Sequence, residues 1–215
     1  MGRPAVVTRE KIAAAALAII DRDGLAALSM RSLGRELGVA AMSLYNHVAD
    51  RVALESLVAE AMMSDIDTTP RCAEPLEEVR RLMLALRAAL NAHPGAIPLI
   101  LTRPTASEAA LAPIEALLAA LDRAGFTGMV LLRAYRTLFG FLIGFAQADL
   151  AGPVSSGRPA WLPDVSAGVL ALPEPAFPRL RACATAAQTS SSDVEFGYGL
   201  DAVLHGLVAL SALAD

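Results

Sequence analysis

Aromatic, cysteine and lysine side chains are scarce in this chain, and β-branched runs of period two are almost absent. Aromatics make up 5% of the 215 residues, against 55% hydrophobic residues overall, with alanine and leucine abundant. That balance predicts an all-α protein. Two cysteines, Cys72 and Cys183, are too few for a disulfide framework and fit reduced cytoplasmic thiols. The three histidines are too scattered to form a local metal cluster, so neither a metal nor a cofactor is expected. GxSxG, HExxH and a glycine-rich phosphate loop are also missing, which leaves no catalytic residues to assign and argues against an enzyme. The longest apolar run, Leu138 to Ala146, is too short to span a membrane. No signal peptide is visible, so the expected location is cytoplasmic, with no membrane partner.

Charge is low in sum but unevenly spread. The net value is −4, and arginine supplies 17 of the 18 cations, Lys11 being the exception. Residues 1–51 carry 7 basic and 5 acidic side chains, whereas residues 52–215 carry 11 and 17. The positive end is therefore the N-terminal one, where a polyanion would be met.

That end holds the strongest pattern. Thr8 can cap a helix over Arg9–Asp23, with Gly24 just beyond it. In SMRSLGRELGVAAMSLYNHVADR, residues 29–51, Ser29 caps a second helix whose Met30, Leu33 and Leu37 recur at helical spacing. Gly34 allows close approach of a third helix, and Gly38 can take the positive φ that ends the second. Val39, Leu44 and Val48 continue the apolar face and leave Ser43, Tyr45, Asn46 and His47 outward. This is the layout of a helix-turn-helix, whose second helix enters the DNA major groove. An ordinary helical hairpin would show the same local pattern. Asp50 then caps a connecting helix over about Arg51–Asp65.

GLAALSMRSLGRELGVAAMSLYNHVADRVAL resembles the N-terminal domain of tetracycline-repressor (TetR) family transcription regulators. The resemblance implies DNA contacts from Arg31 early in the second helix, from Ser43, Tyr45 and His47, and from Arg51 after the third helix. Ser29, like Thr8, is a capping residue that can also donate to phosphate. Ala41 and Met42, at the tip, can touch thymine methyls but donate no side-chain hydrogen bonds; Asn46 completes the outward set.

Beyond residue 66 the sequence predicts helices over about 76–92, one running up to 124, then 128–150, 178–187 and 192–213. Residues 151–178, with proline and glycine throughout, read as a flexible loop. Helices 128–150 and 192–213 are apolar nearly all round and need cover, which the chain's own core or a second copy can supply. The TRPT segment at 102–105 and FGYGLDAVLHGLVAL resemble the tetracycline-repressor C-terminal domain. That resemblance implies a homodimer on a palindromic double-stranded DNA operator, released by a small-molecule effector. Where drug-binding members place a magnesium-holding histidine this chain has Leu99, and where they place a second, drug-contacting histidine it has Ile66 or Asp67, so the expected effector is more apolar than tetracycline. His93, Arg103, Glu115, Gln147 and Trp161 are the candidate effector contacts. The expected organisation is a helix-turn-helix domain at 1–50 and a helical effector-binding and dimerisation domain at 51–215. The alternative is a helical ligand-binding or partner protein without DNA binding.

Overall fold

A computed structural model describes residues 7–103, 107–151 and 166–212, all helices and connections with no strand among them. Trp161, Pro104 and Thr105 lie outside the described residues. The helices are α1 (Arg9–Asp23), α2 (Met30–Leu37), α3 (Ala41–Leu44), α4 (Arg51–Ser64), α5 (Pro75–Ala92) and α6 (Ile97–Thr102). They continue with α7 (Glu108–Arg123), α8 (Gly128–Ala151), α9 (Ser166–Leu170), α10 (Pro178–Ala187) and α11 (Ser192–Ser211).

The chain divides into two compact units, Met1–Arg71 with Leu84–Leu117, and Cys72–Met83 with Leu118–Asp215. Within the first unit α4 packs on α1 and α6 packs on α4. In the first unit α1 buries Ile12, Ala16, Ile19 and Ile20, and Leu28, Leu33, Leu44 and Leu54 are fully buried beside it. Truncating one such leucine to alanine costs about 2–5 kcal/mol.

The N-terminal helices begin where their caps lie. Thr8 Oγ1 accepts from the Lys11 N–H at 3.3 Å, and Asp50 Oδ1 accepts from Ala53 N–H at 2.7 Å. Ser29 Oγ accepts from the Ser32 N–H at 3.0 Å, and Ser32 Oγ returns the favour to the Ser29 N–H at 2.9 Å. That reciprocal box uses a serine where glutamate or glutamine is usual. Gly38 closes α2 in the left-handed region at φ 67°. At Gly34 an added Cβ would lie 2.9 Å from the Val39 carbonyl oxygen and 3.2 Å from the Ala41 nitrogen. Only glycine lets α2 and α3 come this close.

In the second unit α8 packs on α11. Phe141, Phe145 and Phe196 form a cluster with ring centroids 5.0–5.7 Å apart, and Phe196 is fully buried. The apolar pattern continues through Val48, but α3 ends at Leu44 and residues 45–47 form turns. Ala40 offers no side-chain cap, and Ser43 Oγ bonds back to the Ala40 carbonyl at 2.7 Å. The stretch 151–178 was expected to be loop, yet α9 sits within it. Arg181 donates to the Leu170 and Leu172 carbonyls, the latter at 2.7 Å, and so satisfies the end of that helix. In addition, Gly128–Asp149 is one helix long and apolar enough to cross a membrane by composition, although its longest unbroken apolar run is short.

Candidate nucleic-acid interface

The reading edge is built from α2, α3 and the turn that follows. Leu33 and Leu44 anchor its inner side in the core, and Val48 is buried just beyond the turn. That leaves Arg31, Met42, Tyr45 and Asn46 exposed, with Ala41, Ser43 and His47 half-buried. Met42 is the most exposed of the large apolar residues here, at 77%. The Arg31 side chain has no hydrogen bond or ion pair among the described residues, so its five guanidinium N–H donors stay available. Arg9, which the sequence did not single out, donates to the His47 carbonyl at 3.2 Å and ties the start of α1 to the turn. An exposed fork between Arg22 and Glu36, with N–O distances of 3.0 and 3.4 Å, joins the end of α1 to α2.

Three expected DNA contacts also make intramolecular bonds. The hydroxyl of Ser29 is held in its box with Ser32, and that of Ser43 donates to the Ala40 carbonyl. Arg51 turns back from the edge. Its guanidinium donates to the Leu28 carbonyl at 2.6 Å and to the Leu25 carbonyl at 3.5 Å. Its Nε also bonds Glu55 Oε1 at 2.7 Å. Arg51 thus clasps the turn that precedes α2 to the first turn of α4.

Glu55 is the buried partner that sequence reasoning missed, at 4% exposure. Its second oxygen accepts from Arg103 Nε at 2.7 Å. Burial pushes the Glu55 carboxyl up, but the hydrogen bonds from Arg51 and Arg103 outweigh it and hold the carboxyl below the usual range. The i, i+4 spacing of Arg51 and Glu55 was a visible signal; Arg103, 48 residues away, was not.

Of the expected effector contacts, His93 and Arg103 each have a charged partner within the first unit. Arg103 is engaged with Glu55 and with the Thr102 carbonyl. His93 Nδ1 lies 2.8 Å from Asp21 Oδ2 on α1. Glu115 on α7 and Gln147 on α8 are exposed. Leu99 is buried, and Asp67 accepts from Arg71 Nε at 2.8 Å. No group of three or more metal-ligating side chains occurs among the described residues. Two charged residues of α5, Glu78 and Arg87, are buried at 1% and 5%, so this helix does not present a purely apolar face.

Residues 74–211 match the family described as the tetracyclin repressor-like C-terminal domain. An HTH-type transcriptional regulator of Saccharopolyspora erythraea is 34% identical over 145 residues, 67% of this chain; the chain spans 61% of that relative's length. The class A tetracycline repressor protein from transposon 1721 of Escherichia coli is 29% identical, with 90% of this chain and 87% of the relative covered. The crystal structure of apo ActR from Streptomyces coelicolor superposes with a TM-score of 0.76 at 27% identity, over 100% of both chains. ActR has also been solved in complex with actinorhodin and with (S)-DNPA.

Proposed function

This chain belongs to the tetracycline-repressor (TetR) family, and from that premise we propose a ligand-responsive, DNA-binding transcriptional repressor that works without catalysis. It pairs as a homodimer on a palindromic operator in the cytoplasm. The observation that carries the reading is the glycine-cinched α2–α3 pair, with Arg31, Met42, Tyr45 and Asn46 exposed along one edge. Arg31 donates to a base edge, and Tyr45, Asn46 and His47 supply the remaining polar contacts. Ala41 and Met42 meet thymine methyls. The functional division stays at residue 50, with reading in 1–50 and control in 51–215.

Pairing is supported by α8 and α11. Met129 and Leu132 on α8 and Val194, Tyr198, Val208 and Leu210 on α11 are large, apolar and exposed. A Cβ at Gly140, Gly144 or Gly206 would meet open space within the single chain. Cover by a second copy suits these faces better than lipid, since Arg133 and Arg136 interrupt α8. Two-fold pairing also doubles the base contacts on a palindrome.

The effector is a small, largely apolar molecule held in the C-terminal domain, a reading supported by the existence of an ActR complex with the small molecule actinorhodin. A mobility-shift assay on the DNA flanking the chain's own coding region tests the reading. The expected result is a discrete band with two chains per duplex, lost when actinorhodin or an apolar small molecule of a screened panel is added. Absence of any sequence-specific band at low salt would refute DNA binding.

A further inference from the structure

One buried carboxylate lies between the DNA-reading helices and the family-matched C-terminal region. Glu55 gives one oxygen to each of two arginines: Oε1 to Arg51 and Oε2 to Arg103, both at 2.7 Å. Arg51 carries the connection onward to the Leu28 carbonyl, one residue before the Ser29 cap of α2. Arg103 closes α6 and lies inside the matched region 74–211, whereas Glu55, Arg51 and Leu28 precede it. A continuous chain of short polar contacts therefore runs from the end of α6 to the start of the reading helices.

A second crossing sits at the other end of α6. His93 meets Asp21 on α1, and at Gly95 an added Cβ would lie 3.0 Å from the Ile20 side chain. The six-residue helix α6 is thus fastened to the N-terminal helices at both ends. The two fastenings differ in kind. The His93–Asp21 pair is partly exposed, and water can replace either partner. Glu55 is sealed from water, so when one arginine leaves, its oxygen has no ready substitute.

We propose that Glu55 is a positioning residue that couples the end of α6 to the DNA-reading helices, by sharing its carboxylate between Arg103 and Arg51. The proposal rests on the reading of the chain as an operator-binding protein. Displacement of Arg103 leaves Glu55 to Arg51 alone, and the Arg51–Leu28 clasp readjusts. Arg51 then acts as a strut within the protein and not as a phosphate contact.

The test is a double-mutant cycle on the full-length chain, read as the dissociation constant for a duplex carrying the site found by mobility shift. Arg103→Gln and Glu55→Gln are each expected to raise that constant about tenfold (~1.4 kcal/mol). The double variant should be no worse than either single one, and Arg103→Lys should keep most of the wild-type affinity. Hydrogen exchange of the free protein is a DNA-independent second readout. The peptide covering residues 25–37 should exchange faster in Arg103→Gln than in wild type. An Arg103→Gln chain with wild-type affinity, multiplying single effects, or unchanged exchange at 25–37 would each overturn the coupling. A wild-type chain that binds no DNA would instead sink the functional reading, while hydrogen exchange still decides the link.

Discussion

Replacing Gly34 by alanine is the sharpest perturbation of the reading edge. Glycine within a helix costs roughly 0.5–1 kcal/mol against alanine, so propensity alone predicts a more stable protein. The structure predicts the reverse. The new Cβ would sit 2.9 Å from the Val39 carbonyl oxygen, 3.2 Å from Ala41 N and 3.3 Å from Ala41 Cα. All three are backbone atoms, so no rotamer change relieves the contact, and the 39–41 turn must move out by about half an ångström. Overpacking of this kind costs typically 1–3 kcal/mol, which leaves a net loss of about 0–2 kcal/mol. For a chain of this size 1 kcal/mol lowers Tm by about 2–4 °C. The larger effect falls on DNA, because α3 is carried away from α2 and the reading side chains tolerate only about 0.5 Å of misplacement. Operator binding should weaken about tenfold in a fluorescence-anisotropy titration, alongside a small fall in Tm by calorimetry. A Gly34→Ala chain with raised Tm and wild-type operator affinity would refute the close-approach argument.

Arg31→Ala should cost about 1–3 kcal/mol of specific binding and relax preference at one base position in a selection from random duplexes; an unchanged preference counts against it. Arg51→Ala should weaken operator binding without altering its salt dependence, because the guanidinium holds Leu28 and Glu55; a phosphate contact would instead cut the slope by about one charge. Tyr198→Arg places a charge on the exposed face of α11 and should give single-chain mass in sedimentation, with persistent pairs refuting the assigned interface. The carboxyl of Glu55 titrates below its ordinary range in the folded chain, so its contribution is full above about pH 4.3 and is lost as pH falls through the folded value. Acid unfolding should therefore be steeper in wild type than in Glu55→Gln, and parallel pH profiles would contradict the depressed carboxyl.

What could be read from the sequence was what chemistry fixes locally. Thr8, Ser29 and Asp50 announce helix starts because a capping oxygen must stand three residues ahead of its N–H. Gly34 and Gly38 were legible for the same reason, since one is demanded by contact and the other by φ. Three features needed the fold. The shortness of α3 follows from an uncapped Ala40 and a serine that bonds backwards, and the apolar pattern continues through Val48 regardless. The shared carboxylate joins residues 51, 55 and 103, and no spacing rule predicts the third. The contact of His93 with Asp21 of α1 spans 72 residues, and no local pattern predicts it. Arg103 carried a local signal for its segment and none for its partner.

Reading tip and apolar faces belong to different units of the chain, and this has a genetic consequence. Met42 and Tyr45 sit on the α3 edge, while Tyr198 and Leu210 sit on α11, so a lesion in one leaves the other chemically intact. With pairing as proposed, a chain damaged only near Arg31 would still recruit undamaged partners and trap them in one-armed pairs. Such an allele is dominant over the wild-type copy. A chain damaged at Tyr198 stays out of the pairs and is recessive, so mixed expression in one cell sorts the two surfaces by inheritance alone.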